Sequence, residues 1–297
     1  MDLSGLREAR ARRPESISEV AQKRRRRSLL GDDGQLMLIA ADHPARGALG
    51  VRGDSAAMAD RQELLRRLVS ALGRAGVDGV LGTADILEDL LLLGALDEKV
   101  VIGSMNRGGL QGATFELDDR FTGYDATTIG TMGFDGGKML CRIDTADPSS
   151  VTTLESCSRA ITELAGHGLM TLLEPFMSTR VDGHVRNDLS EAAVTRSVAI
   201  TSGLGATSSH TWLKLPVVEG MERVMAATTL PTLLLGGDPS GAPEQTYANW
   251  EKGLALPGVR GLVVGRSLLY PPDGDVETAV DTAVDLVRGG KPVEATA

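Results

Sequence analysis

The feature that most constrains this chain is a rhythm. Short apolar runs bounded by Gly, Pro or Asp alternate with helix-length amphipathic segments. The runs are "QLMLIAADH" from Gln35, "VDGVLGT" from Val77, "KVVIGS" from Lys99, "GKMLCRID" from Gly137, "LMTLLEP" from Leu169, "HTWLKLP" from His210, "PTLLLGGD" from Pro231 and "VRGLVVGRS" from Val259. Each has strand length, and an apolar run of that length between turn residues reads as a buried strand. Between them, segments such as "DRQELLRRLVSALGRAG", "SSVTTLESCSRAITELAGHG", "SEAAVTRSVAITSGLG" and "DVETAVDTAVDLVRGG" carry apolar residues at helical spacing, several opening on Asp or Ser and ending at Gly. Strand and helix in alternation build a parallel sheet, and eight units in roughly 250 residues fit a (β/α)8 TIM barrel better than an open doubly wound sheet. No Pro/Ser-rich linker divides the units. The expectation is a barrel over residues 31–297 behind an N-terminal helical extension over residues 1–30.

Charge and hydropathy narrow the function. A net charge of -9 argues against a nucleic-acid surface. The one basic run, "KRRRR" at Lys23 to Arg27, reads as the solvated face of a helix. No apolar stretch approaches the ~20 residues of a membrane span, and "MDLSGLREARARR" has no apolar core, unlike a secretory signal. A cytoplasmic protein is expected. Cys141 and Cys157 lack metal spacing and read as packing residues.

In a barrel of this kind, chemistry belongs at the carboxyl ends of the strands. Those ends read Asp42 and His43, Arg107, Arg142 and Asp144, Glu174, Lys214, Gly236 and Gly237, and Gly265 with Arg266. The chain has six lysines among 31 basic residues, yet Lys138 and Lys214 both fall inside apolar strands. Period-two alternation puts Lys138, Leu140 and Arg142 on one face of the fourth strand, and Trp212, Lys214 and Pro216 on one face of the sixth. If those faces point inward, the two amines meet. A desolvated lysine beside a second cation has a lowered pKa and becomes a nucleophile for a ketone carbon. The iminium so formed is an electron sink for carbon-carbon cleavage, and Glu174 is placed to move the proton. The competing reading pairs the two lysines with Asp144 and Glu174 as structural ion pairs.

The ordered set "AADH…RG", "GGKMLCRIDTAD", "LLEPFM", "WLKLPV", "LGGDPSG" and "GLVVGRSLLYP" resembles the class I, Schiff-base-forming (β/α)8 aldolases. It is most similar to the tagatose-bisphosphate aldolase group and to the inositol-catabolism aldolases acting on 5-dehydro-2-deoxyphosphogluconate. The resemblance runs from about Gln35 to Pro271. It implies that Lys214 forms the Schiff base, that Lys138 tunes it, that Glu174 serves as acid and base, and that Asp42 binds substrate hydroxyls. It implies a phosphate held by Gly236, Gly237, Gly265 and Arg266, and a reaction that needs no cofactor and yields dihydroxyacetone phosphate and an aldehyde. The family's first strand runs from Asp through one polar residue to Arg-Gly, whereas "DHPARG" interposes Pro44 and Ala45, so the reach of Arg46 is a question for the structure.

The phosphate reading has independent support, since Gly-rich turns after strands seven and eight of this fold recurrently bind phosphate; "GGDPSG" also suits a plain turn. "GFDGGKM" is not a nucleotide loop, because its glycine spacing is wrong and Met139 stands where Ser or Thr is needed. His43, His167, His184 and His210 are scattered, which disfavours a metal-dependent aldolase. The long segment from Asn106 to Thr127 is an active-site cover or a local insertion. Arg142, with Arg107 and Arg180 beyond the third and fifth strands, suits a carboxylate or a second phosphate, unless Arg142 is spent on Asp144 or Glu174. The expected partner is a phosphorylated sugar or keto-acid, with the carboxylate-bearing substrate preferred over tagatose or fructose bisphosphate, in a homo-oligomer. The same barrel also admits a sugar-phosphate isomerase or synthase, or a non-catalytic sugar-phosphate-binding protein.

Overall fold

The computed structural model describes residues 3–237 and 241–289. Its strands are β1 (Leu36–Ala40), β2 (Gly79–Gly82), β3 (Val100–Ser104), β4 (Gly136–Ile143), β5 (Met170–Val181), β6 (His184–Asn187), β7 (Thr211–Leu215), β8 (Thr232–Leu235) and β9 (Val259–Val264). All eight expected runs are strands. They pair in parallel in the order β1-β2-β3-β4-β5-β7-β8-β9, and β9 closes the ring on β1 through pairs such as Leu38↔Val263. This is a closed (β/α)8 barrel.

The ninth strand is the departure from expectation. β5 continues past the barrel rim, turns at Asp182 (φ 50) and Gly183 (φ 79), and pairs back antiparallel as β6, from Val181↔His184 to Ser178↔Asn187. Two central residues at positive φ are what a two-residue hairpin with the right twist requires, and Asp-Gly supplies them.

Helices α1 (Ser4–Arg12) and α2 (Ser16–Lys23) form the N-terminal extension. Around the barrel run α3 (Arg61–Leu72), α4 (Ala84–Leu92), α5 (Ala126–Thr131), α6 (Ser149–Gly166), α7 (Glu191–Ser202), α8 (Met221–Ala226), α9 (Pro243–Leu254), α10 (Arg266–Leu269) and α11 (Val276–Arg288). Caps were legible beforehand: the side chains of Asp60, Ser190 and Asp275 accept from the amides of Glu63, Ala193 and Thr278. Strand alternation sorts the core into two bodies. Outward residues such as Met37, Met139, Cys141 and Leu213 pack beneath the helices, with Cys157 among them. Inward residues Leu36, Leu38, Val100, Ile102, Leu172, Trp212, Leu233 and Val263 fill the lower barrel. Above that plug the inward positions turn polar: Asp42, Ser104, Lys138, Glu174 and Lys214.

The basic run is not a solvated helix face. α2 ends at Lys23, and the arginines that follow lie in irregular chain across the amino-terminal ends of the strands. Arg24 is buried and donates to the carbonyls of Leu96 (3.2 Å), Lys99 (2.7 Å) and Gly133 (2.6 Å). Arg25 meets Asp97, Arg26 meets Asp135, and Arg27 meets Asp78. The acids come from three successive loops, so the correct reading of this charge run is a clasp.

That geometry predicts unequal costs. Arg24→Met leaves buried carbonyls without their donor, a loss of about 2–4 kcal/mol, and should lower Tm by roughly 5–10 °C. Arg25→Ala removes an exposed pair and should stay within about 0.5 kcal/mol. Thermal unfolding of both variants is the check, and equal shifts would refute the clasp.

Candidate active site

Three strands bring the reactive groups together. Leu140 of β4 lies beside Glu174 of β5, and Leu173 of β5 beside Leu213 of β7, so Glu174 stands between the inward side chains of Lys138 and Lys214. Its carboxylate spans both amines: Oε2 lies 2.5 Å from Lys138 Nζ and Oε1 lies 2.8 Å from Lys214 Nζ. Lys138 is fully buried and also lies 3.2 Å from Asp42 Oδ2. That same oxygen is paired with Arg107 and accepts from Ser104 Oγ at 3.2 Å. The Glu174 half of the structural ion-pair reading is present as geometry. The Asp144 half is not: its Oδ1 accepts from the Ala146 amide, and its own amide donates to Ser150 Oγ.

Burial drives both amines below the ordinary lysine value, with Arg107 adding to the effect on each and Arg266 on Lys214. Burial also pushes the Glu174 carboxyl up, but the two lysines outweigh it and hold it well below the usual range. Burial takes Arg107 down to about 10. Inside the barrel, Arg107 and Lys138 pair with Asp42, and Lys138 and Lys214 pair with Glu174. The two lysines share the Glu174 carboxylate, and burial disfavours the charged form of both.

A cavity of about 680 Å³ opens above this cluster. Glu174, Lys214, Arg142, Gly236, Gly237, Gly265 and Arg266 all line it. Asp42 and Lys138 do not; they lie behind Glu174 and Arg107, so Asp42 holds cations in this structure and does not reach the cavity. Lys214 is therefore the amine that faces an incoming ligand. Gly236 and Gly265 permit close backbone approach, since a Cβ there would meet Val264 Cγ1 at 2.7 Å and the Ala40 carbonyl at 2.3 Å respectively. Residues 238–240 of "GGDPSG" lie outside the described residues, as does the end of the expected barrel range from residue 290.

The segment Asn106 to Thr127 is a wall of the cavity, to which it contributes Arg107, Gln111 and Glu116. The Asn106 side chain pins it to β4, accepting from the Leu140 amide (2.7 Å) and donating to the Leu140 carbonyl (2.6 Å). Arg142 is spent here, and not on Asp144 or Glu174: its Nε and Nη2 meet Asp119 at 2.9 and 2.6 Å, and Nη2 also donates to the Glu116 carbonyl. Arg180 ties the hairpin to this wall through the Thr114 carbonyl. Arg46 does reach the cavity, despite the interposed Pro44 and Ala45, which form a short 3-10 turn. His43 also lines it, driven well below its ordinary pKa by burial and by Arg266 and Lys214. His167 follows α6, His184 is on the hairpin and His210 precedes β7. Among the described residues no three His, Cys, Asp or Glu side chains gather as a metal requires.

Residues 34–284 match a protein family described as Cgl0159-like. The chain belongs to the Cgl0159-like family. The crystal structure of Cgl0159 from Corynebacterium glutamicum (Brevibacterium flavum) is similar at 58% identity and a TM-score of 0.94, over 96% of each chain. More distant barrels include an archaeal fructose 1,6-bisphosphate aldolase, at 18% identity and TM-score 0.65 over 92% of this chain and 100% of that one. Another structure of an archaeal fructose-1,6-bisphosphate aldolase has its catalytic Lys covalently bound to a carbinolamine intermediate; it matches at 18% identity and TM-score 0.62 over 91% and 99%. At that identity the likeness is one of fold. No curated protein sequence matches this Cgl0159-like chain.

Lys138 and Lys214 compete for the one Glu174 carboxylate. Lys138→Met leaves Glu174 to Lys214 alone, which favours the Lys214 ammonium and raises its pKa. Only a free amine attacks a carbonyl, so if Lys214 forms the Schiff base that the sequence resemblance implies, trapping by borohydride with dihydroxyacetone phosphate should need a pH higher by about one unit. An unmoved midpoint would make Lys138 a packing residue.

Proposed function

We propose that this protein is a class I aldolase that cleaves a phosphorylated ketose or keto-acid through a Schiff base on Lys214. The observation that carries the reading is one buried carboxylate bridging two lysines, of which only Lys214 opens to the cavity. In this reading the neutral Lys214 amine adds to the substrate ketone and the carbinolamine loses water to give an iminium. Glu174, at 2.8 Å from that nitrogen, accepts the proton of the hydroxyl beyond the neighbouring carbon. The carbon-carbon electron pair then moves into the iminium, releasing an aldehyde and leaving an enamine. Glu174 returns the proton to the enamine carbon, and water hydrolyses the iminium to free dihydroxyacetone phosphate and Lys214.

The phosphate is assigned to the Gly236–Gly237 and Gly265–Arg266 turns, where the fold recurrently holds one. β8 and β9 stand across the barrel from β3 and β4, so the other half of the substrate meets the arginine-bearing wall. That wall favours 5-dehydro-2-deoxyphosphogluconate of inositol catabolism, with a carboxylate at its far end, over fructose or tagatose bisphosphate. The aldolases among the distant barrels are consistent with this chemistry.

Borohydride with dihydroxyacetone phosphate should leave a stable mass adduct on Lys214, and Lys214→Met should lose both adduct and turnover. Glu174→Gln should slow cleavage by about 10²–10⁴, the range of a lost acid-base group, while trapping falls far less. Turnover that survives Lys214→Met and disappears with a chelator would sink the proposal.

A further inference from the structure

Two arginines meet the segment after β3 in very different states, Arg142 from β4 and Arg46 reaching over from the turn after β1. Arg142 is saturated, its fork taken by both oxygens of Asp119 and by a backbone carbonyl. Arg46 is not. Its nearest carboxylate oxygen, Glu116 Oε1, lies 3.7 Å away, beyond hydrogen-bond reach, and its buried Nε has no partner. An unpaired N–H buried in a protein is costly unless something arrives to accept from it.

Glu116 is the second half of the observation. It is buried, lines the cavity, and accepts from the Gly112 amide through Oε2 at 3.0 Å. Its Oε1 points between the two guanidiniums without bonding either, 3.7 Å from Arg46 and 3.8 Å from Arg142. The carboxylate is held from behind by its own segment and is only loosely engaged in front. The segment is fitted to this place: a Cβ on Gly109 would meet the Glu116 carbonyl at 2.2 Å, Arg142 Nη2 at 2.5 Å and Asp119 Oδ1 at 2.8 Å.

We propose that Arg46 is the receptor for a carboxylate at the end of the substrate remote from the phosphate, and that Glu116 stands in for that carboxylate when the site is empty. The inference rests on the aldolase reading and adds the residues that choose between substrates. The charge balance gives the direction. Arg46 and Arg142 are matched in charge by Glu116 and Asp119 before substrate enters. A planar carboxylate brings one negative charge and fits the guanidinium fork in two parallel bonds. A phosphate brings close to two charges beside Glu116, which is fixed from behind and repels them. Asp119 has a different part: by occupying Arg142 it keeps that guanidinium as a post for the segment.

The test uses the condensation direction, in which dihydroxyacetone phosphate is held constant and the aldehyde is varied. The probes are a three-carbon aldehyde bearing a carboxylate (malonate semialdehyde), glyceraldehyde 3-phosphate and uncharged glyceraldehyde. The wild-type protein should prefer the carboxylate over the phosphate by at least tenfold in kcat/KM. Arg46→Gln should cut the ratio of carboxylate to uncharged aldehyde by tenfold or more, chiefly through KM. Glu116→Gln should raise the ratio of phosphate to uncharged aldehyde by about tenfold. A wild-type preference for the phosphorylated aldehyde overturns the inference even where a variant does not fold, and so do variants that move all three aldehydes alike. Formation of the Lys214 borohydride adduct with dihydroxyacetone phosphate alone separates the two levels. An adduct with the wrong aldehyde pattern refutes only the roles of Arg46 and Glu116, whereas no adduct refutes the aldolase reading and this inference with it.

Discussion

The Glu174 carboxylate is the interaction on which the rest of this site depends. A lysine placed alone in the dry interior of a barrel loses its charge or unfolds its surroundings, and a lone carboxylate there fares no better. Set between Lys138 and Lys214, Glu174 makes both tolerable at once. Asp42, the other carboxylate at Lys138, is shared with Arg107. Burial and the neighbouring guanidiniums push both amines below the ordinary lysine value, the direction that the proposed Schiff-base chemistry needs. In the proposed reading, stability and reactivity have the same origin.

The barrel's other contribution is to separate these tasks in depth. Below, apolar residues from alternate strands fill the interior and exclude water. In the middle, Asp42 and Lys138 are sealed beneath the cavity floor. Above, long connections after β1 and β3 and the β5–β6 hairpin build the walls. The two lower layers use side chains from the same inward strand faces, so a shift of one residue in register would send Lys138, Lys214 and Glu174 to the helix side.

How much of this was legible follows the range of the interactions. The eight strands, the caps at Asp60, Ser190 and Asp275, and the meeting of Lys138 with Lys214 and Glu174 follow from local periodicity, and local periodicity is what a sequence displays. The β6 hairpin carried its signal too, Asp182-Gly183, hidden because β5 reads as ending at Pro175. Ser104 was equally readable, as the polar successor to Val100 and Ile102 on an inward face. Pairings across the fold were not. Asp119 reaching Arg142, Glu116 standing before Arg46, and the basic run meeting acids of three separate loops depend on how irregular segments are laid over the barrel. For that run, helical spacing up to Lys23 suggested a continuation that the chain does not make.

The clasp at the amino-terminal end has a consequence for how the barrel comes apart. Asp78 accepts from the Met37 amide and pairs with both Arg27 and Arg288, the last of these 210 positions away in the chain. One carboxylate thus joins the segment before β1, the start of β1 and the end of the last described helix at the base of the barrel, so the two ends of the ring, which meet where β9 pairs with β1, cannot part without uncovering it.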